Sequence, residues 1–403
     1  MTRPDRAWTL PHAQRRRYLA VLALSSVGAS VRPLAHSASS ACLAVADWTH
    51  FVDRHIQRDG RIIDFHTAEQ HSTSEGQSYG LFFALVHNDR STFDRVLRWT
   101  DANLADGRLA QRLPAWRWGR KPGGSWGVLD TTPASDADLW IAYALVEAGR
   151  LWSEPGYQAL GRSVLANAAR EEVVALPGLG RMLLPWPRSV AGGPLWRLNA
   201  SYLPLQLLRR FQQEDAQGPW REIADNTVRM LEAVAPRGFA PDWCAWSEKE
   251  QAFVADPEKS TAGSYDAIRI YLWAGMLHAQ DPARPRLLAA LHGPRGVLAQ
   301  NRPLAEYVDA DTGAARGNAP VGFAGALLPY LKAQGLEGPL RTQIARIRER
   351  VDSPAQPASV PLPYYERILL LFGQSWLDGR YAFGRDGGLQ PNWRLLCPST
   401  HLV

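Results

Sequence analysis

Four stretches of this chain are apolar nearly all the way round. They lie at Leu81–Leu85, Ala267–Ala274, Val321–Leu328 and Arg367–Phe372. A helix without a continuous polar face must be surrounded by protein. Other stretches, such as Arg221–Met230 and Arg341–Arg350, carry a clear polar stripe and suit a helix facing water. Alternation of the two kinds predicts two shells of helices. Helices are expected near 46–56, 76–87, 91–104, 136–152, 155–173, 199–211, 219–234, 265–279, 281–299, 320–332, 339–350 and 364–378, with little strand. The fold class is therefore all-α, an (α/α)6 barrel of six inner and six outer helices joined as hairpins. An open array of helix pairs is the competing arrangement, but it calls for a sequence repeat that is not visible here.

The formal charge of +6 sits mainly in the first 41 residues, which hold six arginines and one acid. Residues 42–403 are left with +1, so no electrostatic footprint for nucleic acid remains. Arg15-Arg16-Arg17, the apolar run Tyr18–Val31 and the small residues Ser37–Ala41 have the order of an export signal. Residues 1–41 are expected to be that signal, by a twin-arginine or a Sec route, and 42–403 a single catalytic domain, periplasmic or secreted. No later run is long and uncharged enough to span a bilayer. An oxidising compartment permits a disulfide. Cys42 and Cys397, at the two ends of the exported chain, are expected to pair, leaving Cys244 free and buried. No Cys/His spacing suits a metal and no glycine-rich loop suits a phosphate, so no cofactor is expected.

In a double ring the inner helices run parallel, and their N-termini open on one face. The loops entering them carry Glu75, Asp136, Asp138, Tyr202, Tyr265 and Asp266, with Arg269 one turn on. Ser74 with Gln77 has the form of a capping box in front of the second helix. Each acid has a plain structural account: Asp136 and Asp266 can be helix caps, and Asp266 can be met by Arg269 at i+3. Their convergence on one face points instead to chemistry. The chain has 16 Trp, and Trp116, Trp118 and Trp126 crowd one long loop. A cleft of indoles and phenols around paired acids has the physical outline of a carbohydrate site.

Three motifs make the outline specific. Ala134–Trp152, beginning Ala134-Ser135-Asp136-Ala137-Asp138, resembles the signature of glycoside hydrolase family 8. Thr73–Gly80 resembles that family's acid motif, and Ser264–Arg269 its base motif. Shorter likenesses occur at Arg112–Trp116, Met182–Pro185 and Leu371–Gln374. The resemblance implies an inverting endo-β-1,4-glucanase associated with bacterial cellulose synthesis, with the cellulose synthase complex as a partner. It implies Glu75 as general acid, Asp266 as general base and Asp136 as the group that holds and distorts the sugar. Arg269 and Tyr265 are expected to orient Asp266 and the water, and Trp126, Trp116, Trp196 and Tyr202 to stack on sugars. A helix N-terminus favours an ionised carboxylate, so an acid at Glu75 needs a countervailing influence, either Asp136 or an apolar wall. The alternatives are a hydrolase of xylan, chitosan or mixed-linkage glucan, and a non-catalytic glucan-binding component of an export machine.

Overall fold

The computed structural model describes residues 48–188, 194–352 and 362–394. The expected export signal and the expected Cys42–Cys397 pair lie outside the described residues. Cys244 is free and buried.

The described chain is mostly helical. The helices are α1 (residues 48–55), α2 (Ser74–Val86), α3 (Arg90–Leu104), α4 (Ser135–Leu151), α5 (Pro155–Glu171), α6 (Leu205–Glu214) and α7 (Trp220–Val234). They continue as α8 (Ala267–Met276), α9 (Arg284–Ala290), α10 (Gly293–Ala299), α11 (Val321–Ala333), α12 (Glu337–Asp352) and α13 (Tyr364–Leu377). None of the helices among the described residues is long and apolar enough to cross a membrane.

Two expected helices are interrupted. The one expected over 281–299 breaks into α9 and α10, because Pro294 cannot continue a helix from before but can start a new one. The one expected over 199–211 opens with a single 3-10 turn, Ala200–Tyr202, and becomes α-helical only after Pro204. The connections hold more strand than expected, all of it short and antiparallel. One sheet joins β1 (Ser72–Thr73), β2 (Arg117–Arg120) and β3 (Trp126–Asp130) in that order. A hairpin pairs β4 (Val173–Leu176) with β5 (Gly180–Leu183). A second sheet joins β6 (Leu195–Leu198), β7 (Cys244–Ser247) and β8 (Ala252–Ala255). A third joins β9 (Ala262–Gly263), β10 (Tyr307–Asp309) and β11 (Ala315–Arg316), and a last hairpin pairs β12 (Tyr381–Phe383) with β13 (Leu389–Pro391). Strands of two to five residues are too short to show a period in sequence. The turn between β2 and β3 is set by Gly123 and Gly124, whose φ values of +93° and +88° few other residues adopt.

The apolar α2, α4, α8, α11 and α13 and the amphipathic α6 pack against one another in succession: α2 on α4, α4 on α6, α6 on α8, α8 on α11 and α11 on α13. Phe372 of α13 returns to α2, with ring centroids 4.7 Å from Phe83 and 5.4 Å from Phe82. The amphipathic α3, α5, α7 and α12 lie on α2, α4, α6 and α11. Trp140 of α4 lies at the centre, within 5.0–5.9 Å of the rings of Phe82, Tyr79, Trp273, Phe372 and Tyr143. At the far end of α4, buried Glu147 accepts hydrogen bonds from Arg150, Arg210 and the Leu389 N–H, which fastens the β12–β13 hairpin there.

Glycine permits the closest approach. A Cβ on Gly373 of α13 would stand 1.8 Å from the Gly325 carbonyl oxygen of α11. Backbone cannot yield as a side chain can. Gly373→Ala is expected to cost about 3 kcal/mol or more, as overpacking does, and to lower the chemical-denaturation midpoint. An unchanged midpoint would show that the two helices can slide apart freely.

Candidate active site

The site lies where α2, α4 and α8 begin. α2 starts differently from the expected capping box. Thr73 is the N-cap, accepting from the Gly76 N–H at 3.1 Å. Gln77 is turned inward instead. Its Oε1 accepts from the Ile62 N–H (2.7 Å), and its Nε2 donates to Thr100 Oγ1 (3.0 Å) and the Gly60 carbonyl (3.3 Å). The Ser74 N–H donates to the Trp116 carbonyl at 2.8 Å, so the β1–β2 pairing sets Trp116 beside the next residue.

That residue is Glu75, the one member of α2 that is not fully buried. Trp116 Nε1 donates to its Oε1 at 3.0 Å. Its Oε2 is out of reach of solvent and has no hydrogen-bond partner among the described residues. The carboxyl is pushed up to about 8, first by burial and second by the charge of Asp136. Arg269 and the Trp116 indole pull the other way and do not prevail.

Asp136 and Asp266 meet through one cation. Arg269 Nη1 donates to Asp136 Oδ2 at 2.9 Å and to the Tyr79 hydroxyl at 3.0 Å, while Nη2 donates to Asp266 Oδ1 at 2.6 Å. Its guanidinium carbon lies 5.5 Å from the centroid of the Tyr202 ring. Burial works against the charge of Arg269, but Tyr79, Tyr365, Asp266 and Asp136 outweigh it and hold the group protonated. Neither aspartate caps its own helix through the side chain. Asp136 Oδ1 accepts from the adjacent Ala137 N–H (2.8 Å), and burial raises its carboxyl despite Arg269. Asp266 Oδ2 accepts from Trp243 Nε1 at 3.0 Å. Both oxygens of Asp266 thus accept hydrogen bonds, the arrangement of an ionised carboxylate.

Asp138 is buried one step deeper. Glu172 is buried as well, and burial raises both carboxyls well above their usual range.

Aromatic groups stand at both acids. Beside Glu75 are Trp116 and, farther along β2 and β3, Trp118 and Trp126, whose rings stack with centroids 5.5 Å apart. The Arg61 guanidinium covers both, and Trp126 is 45% exposed. Beside Asp266 are Trp243, Trp186 at 5.7 Å and Tyr202 at 6.0 Å between centroids.

The expected site residues thus divide. Glu75, Asp136, Asp266, Arg269, Trp116 and Tyr202 come together. Trp126 stands at the edge of the group. Trp196 is elsewhere on β6, its indole N–H bonded to Glu248 (2.7 Å) rather than to any of the three acids. Tyr265 does not orient Asp266: its hydroxyl donates to Glu306 (2.9 Å), while Tyr365 donates to its carbonyl (2.6 Å). Sequence reading missed Asp242, Trp243 and Trp186. Asp242 Oδ1 accepts from the N–H groups of Ser264, Asp266 and Ala267. Pro241-Asp242-Trp243 sits in a long loop, and no local periodicity ties it to α8. A paired Asp-Trp before a strand was the only signal on offer.

Residues 25–379 match the family described as glycosyl hydrolases family 8. The chain is 52% identical to an endoglucanase of Xanthomonas axonopodis pv. citri, over 96% of this chain and 99% of the relative. It is 43% identical to an endoglucanase of Escherichia coli O157:H7, over 91% of this chain and 96% of the relative. The solved endo-1,4-D-glucanase of Vibrio fischeri ES114 is 39% identical and superposes with a TM-score of 0.80, covering 87% of this chain and 99% of that one.

The geometry fixes the direction in which Glu75 responds. Carbon-13 NMR titration of its carboxyl is expected to give a midpoint near 8. Trp116→Phe removes a donor to the ionised form and should raise that midpoint. Asp136→Asn removes a like charge and should lower it. A midpoint in the ordinary glutamate range, or shifts of opposite sign, would contradict this electrostatic balance.

Proposed function

The chain belongs to glycosyl hydrolase family 8 and is an inverting endo-β-1,4-glucanase, and we propose that Glu75, Asp136 and Asp266 carry its reaction inside an (α/α)6 barrel. The succession of packed helices α2, α4, α6, α8, α11 and α13, returning to α2 through Phe372, supports the barrel. The role assignment rests above all on the contrast between Glu75, which holds its proton near neutral pH, and Asp266, which accepts from Arg269 and Trp243.

Glu75 gives its proton to the glycosidic oxygen as the bond to the anomeric carbon breaks. Asp266 takes a proton from a water that attacks that carbon from the opposite face. One glycosidic bond and one water are consumed, and the cycle closes when solvent gives a proton back to Glu75 and takes one from Asp266. No covalent sugar forms on the enzyme, so the configuration inverts. Asp136 is therefore not a nucleophile. Buried and fixed by Arg269, it holds the sugar at the cleavage point and keeps Glu75 protonated by its charge. Trp116 and Trp126 on one side, and Tyr202 on the other, offer flat faces to sugar rings.

The order of residues 1–41 supports export, with residues 42–403 as one catalytic domain in the periplasm or outside the cell. There the enzyme would meet β-1,4-glucan as the cell makes it, which puts it in the company of a cellulose synthase complex.

The stereochemistry is the test. With soluble β-1,4-glucan, proton NMR should show the α-anomer forming first. Glu75→Gln should lower kcat about 10³-fold, as loss of a general acid does. First appearance of the β-anomer would overturn Asp266 as base, and wild-type turnover by Glu75→Gln would overturn Glu75 as acid.

A further inference from the structure

We propose that Asp242 is a surrogate cap for α8, and that by capping this helix from a distance it frees the Asp266 carboxylate for reaction. Asp266 stands at the N-cap position of α8. An aspartate there ordinarily folds its side chain back to accept an N–H of the first helical turn, since those groups have no partner within the helix. Asp266 makes no such bond. Its oxygens are turned outward to Arg269 Nη2 (2.6 Å) and Trp243 Nε1 (3.0 Å).

The N–H groups of Ile268 and Arg269 are met by the Ser264 and Asp266 carbonyls, and the donors just before them are met by another chain segment. Asp242 Oδ1 accepts from Ser264 N (2.7 Å), Asp266 N (3.1 Å) and Ala267 N (2.8 Å). These three span the turn that leads into α8. The Asp242 N–H is itself bonded to the Ala262 carbonyl (2.8 Å), which fixes the loop beneath the same turn. The adjacent Trp243 then reaches the carboxylate that this arrangement leaves free. Asp242 and Trp243 together grip residue 266 twice, by its backbone and by its side chain.

The consequence is local and directional. Without the Asp242 oxygen, the N–H groups of Ser264, of Asp266 and of Ala267, the first residue of α8, lose their acceptor. The nearest replacement is the Asp266 carboxylate, which would swing toward its own helix and leave Arg269 and Trp243. Asp242 touches neither water nor sugar in this scheme, so it is a positioning residue. A displacement of the base by about 1 Å is enough to cost about 10²-fold in rate while leaving sugar contacts in place.

This inference rests on Asp266 being the base, and the test separates the two claims. Steady-state kinetics on a β-1,4-gluco-oligosaccharide would compare wild type with Asp242→Ala, Asp242→Asn and Asp266→Asn, with the thermal midpoint of each measured alongside. Asp242→Ala should lower kcat about 10²-fold with little change in KM. Asp242→Asn keeps an acceptor oxygen in the same place and should restore most of the turnover. A crystal structure of Asp242→Ala should show the Asp266 carboxylate bonded to its own helix. If Asp242→Ala does not fold, Asp242→Glu carries the test: it keeps the charge but moves the oxygen by one methylene, and kcat should fall with KM held. Wild-type kcat in the Ala or Glu variant, or an Asn variant as poor as Ala, overturns the surrogate cap. Wild-type turnover by Asp266→Asn overturns the base assignment, and the positioning role falls with it.

Discussion

One buried cation holds the site together. Arg269 projects from α8, reaches Tyr79 on α2 and Asp136 on α4, and returns to Asp266 at the mouth of its own helix. A buried charge must be paired and hydrogen-bonded or it is strongly destabilising. Here that requirement can be met only if three helices begin at the same place. Burial of the arginine therefore fixes the relative positions of two carboxylates far apart in sequence. The planar fork matters as well, because its nitrogens serve both acids and a phenol at once.

The same cluster sorts its carboxyls by environment. Glu75 lies in the first turn of α2, where the helix dipole favours a negative charge by about 0.3–1 kcal/mol, less than one pKa unit. Burial and the neighbouring Asp136 act more strongly and take the group to about 8. The conflict between a helix N-terminus and an acid that keeps its proton is thus decided by desolvation. Asp266 differs because it is more open and has a cation on one oxygen and an indole on the other. Two carboxyls on one face thus differ in their surroundings alone, and the proposed acid and base roles rest on that difference.

Much of this was legible from the chain, and the failures share a cause. The lack of a polar face gave away the buried helices α2, α8 and α11, since burial on all sides leaves a mark in every residue. Glu75, Asp136, Asp266 and Arg269 could be found because they lie at or within a turn of helix starts. What local pattern does not encode was missed or misread. Gln77 looked like half of a capping box, yet its amide bonds the backbone at Ile62 and Gly60 and the side chain of Thr100. Asp242 and Trp243 act on residues more than twenty positions away. Tyr265 sits beside Asp266 in sequence, but its hydroxyl turns to Glu306. Trp196 was one indole among many, and its partner Glu248 arrives only through the sheet. The single helix expected over 281–299 overlooked Pro294, a breaker that could have been weighed.

The central claim is that a forked cation joining Asp136 to Asp266 is what makes the site work. Arg269→Lys tests it most directly, because lysine keeps the charge but cannot bridge both acids and Tyr79 from one rigid plane. With thermal stability and oligosaccharide binding measured on the same sample, kcat is expected to fall about 10²-fold or more while binding is largely kept. Wild-type kcat in a folded Arg269→Lys variant would contradict the account, for it would mean that a point charge suffices and that the bridge is not what orients the base.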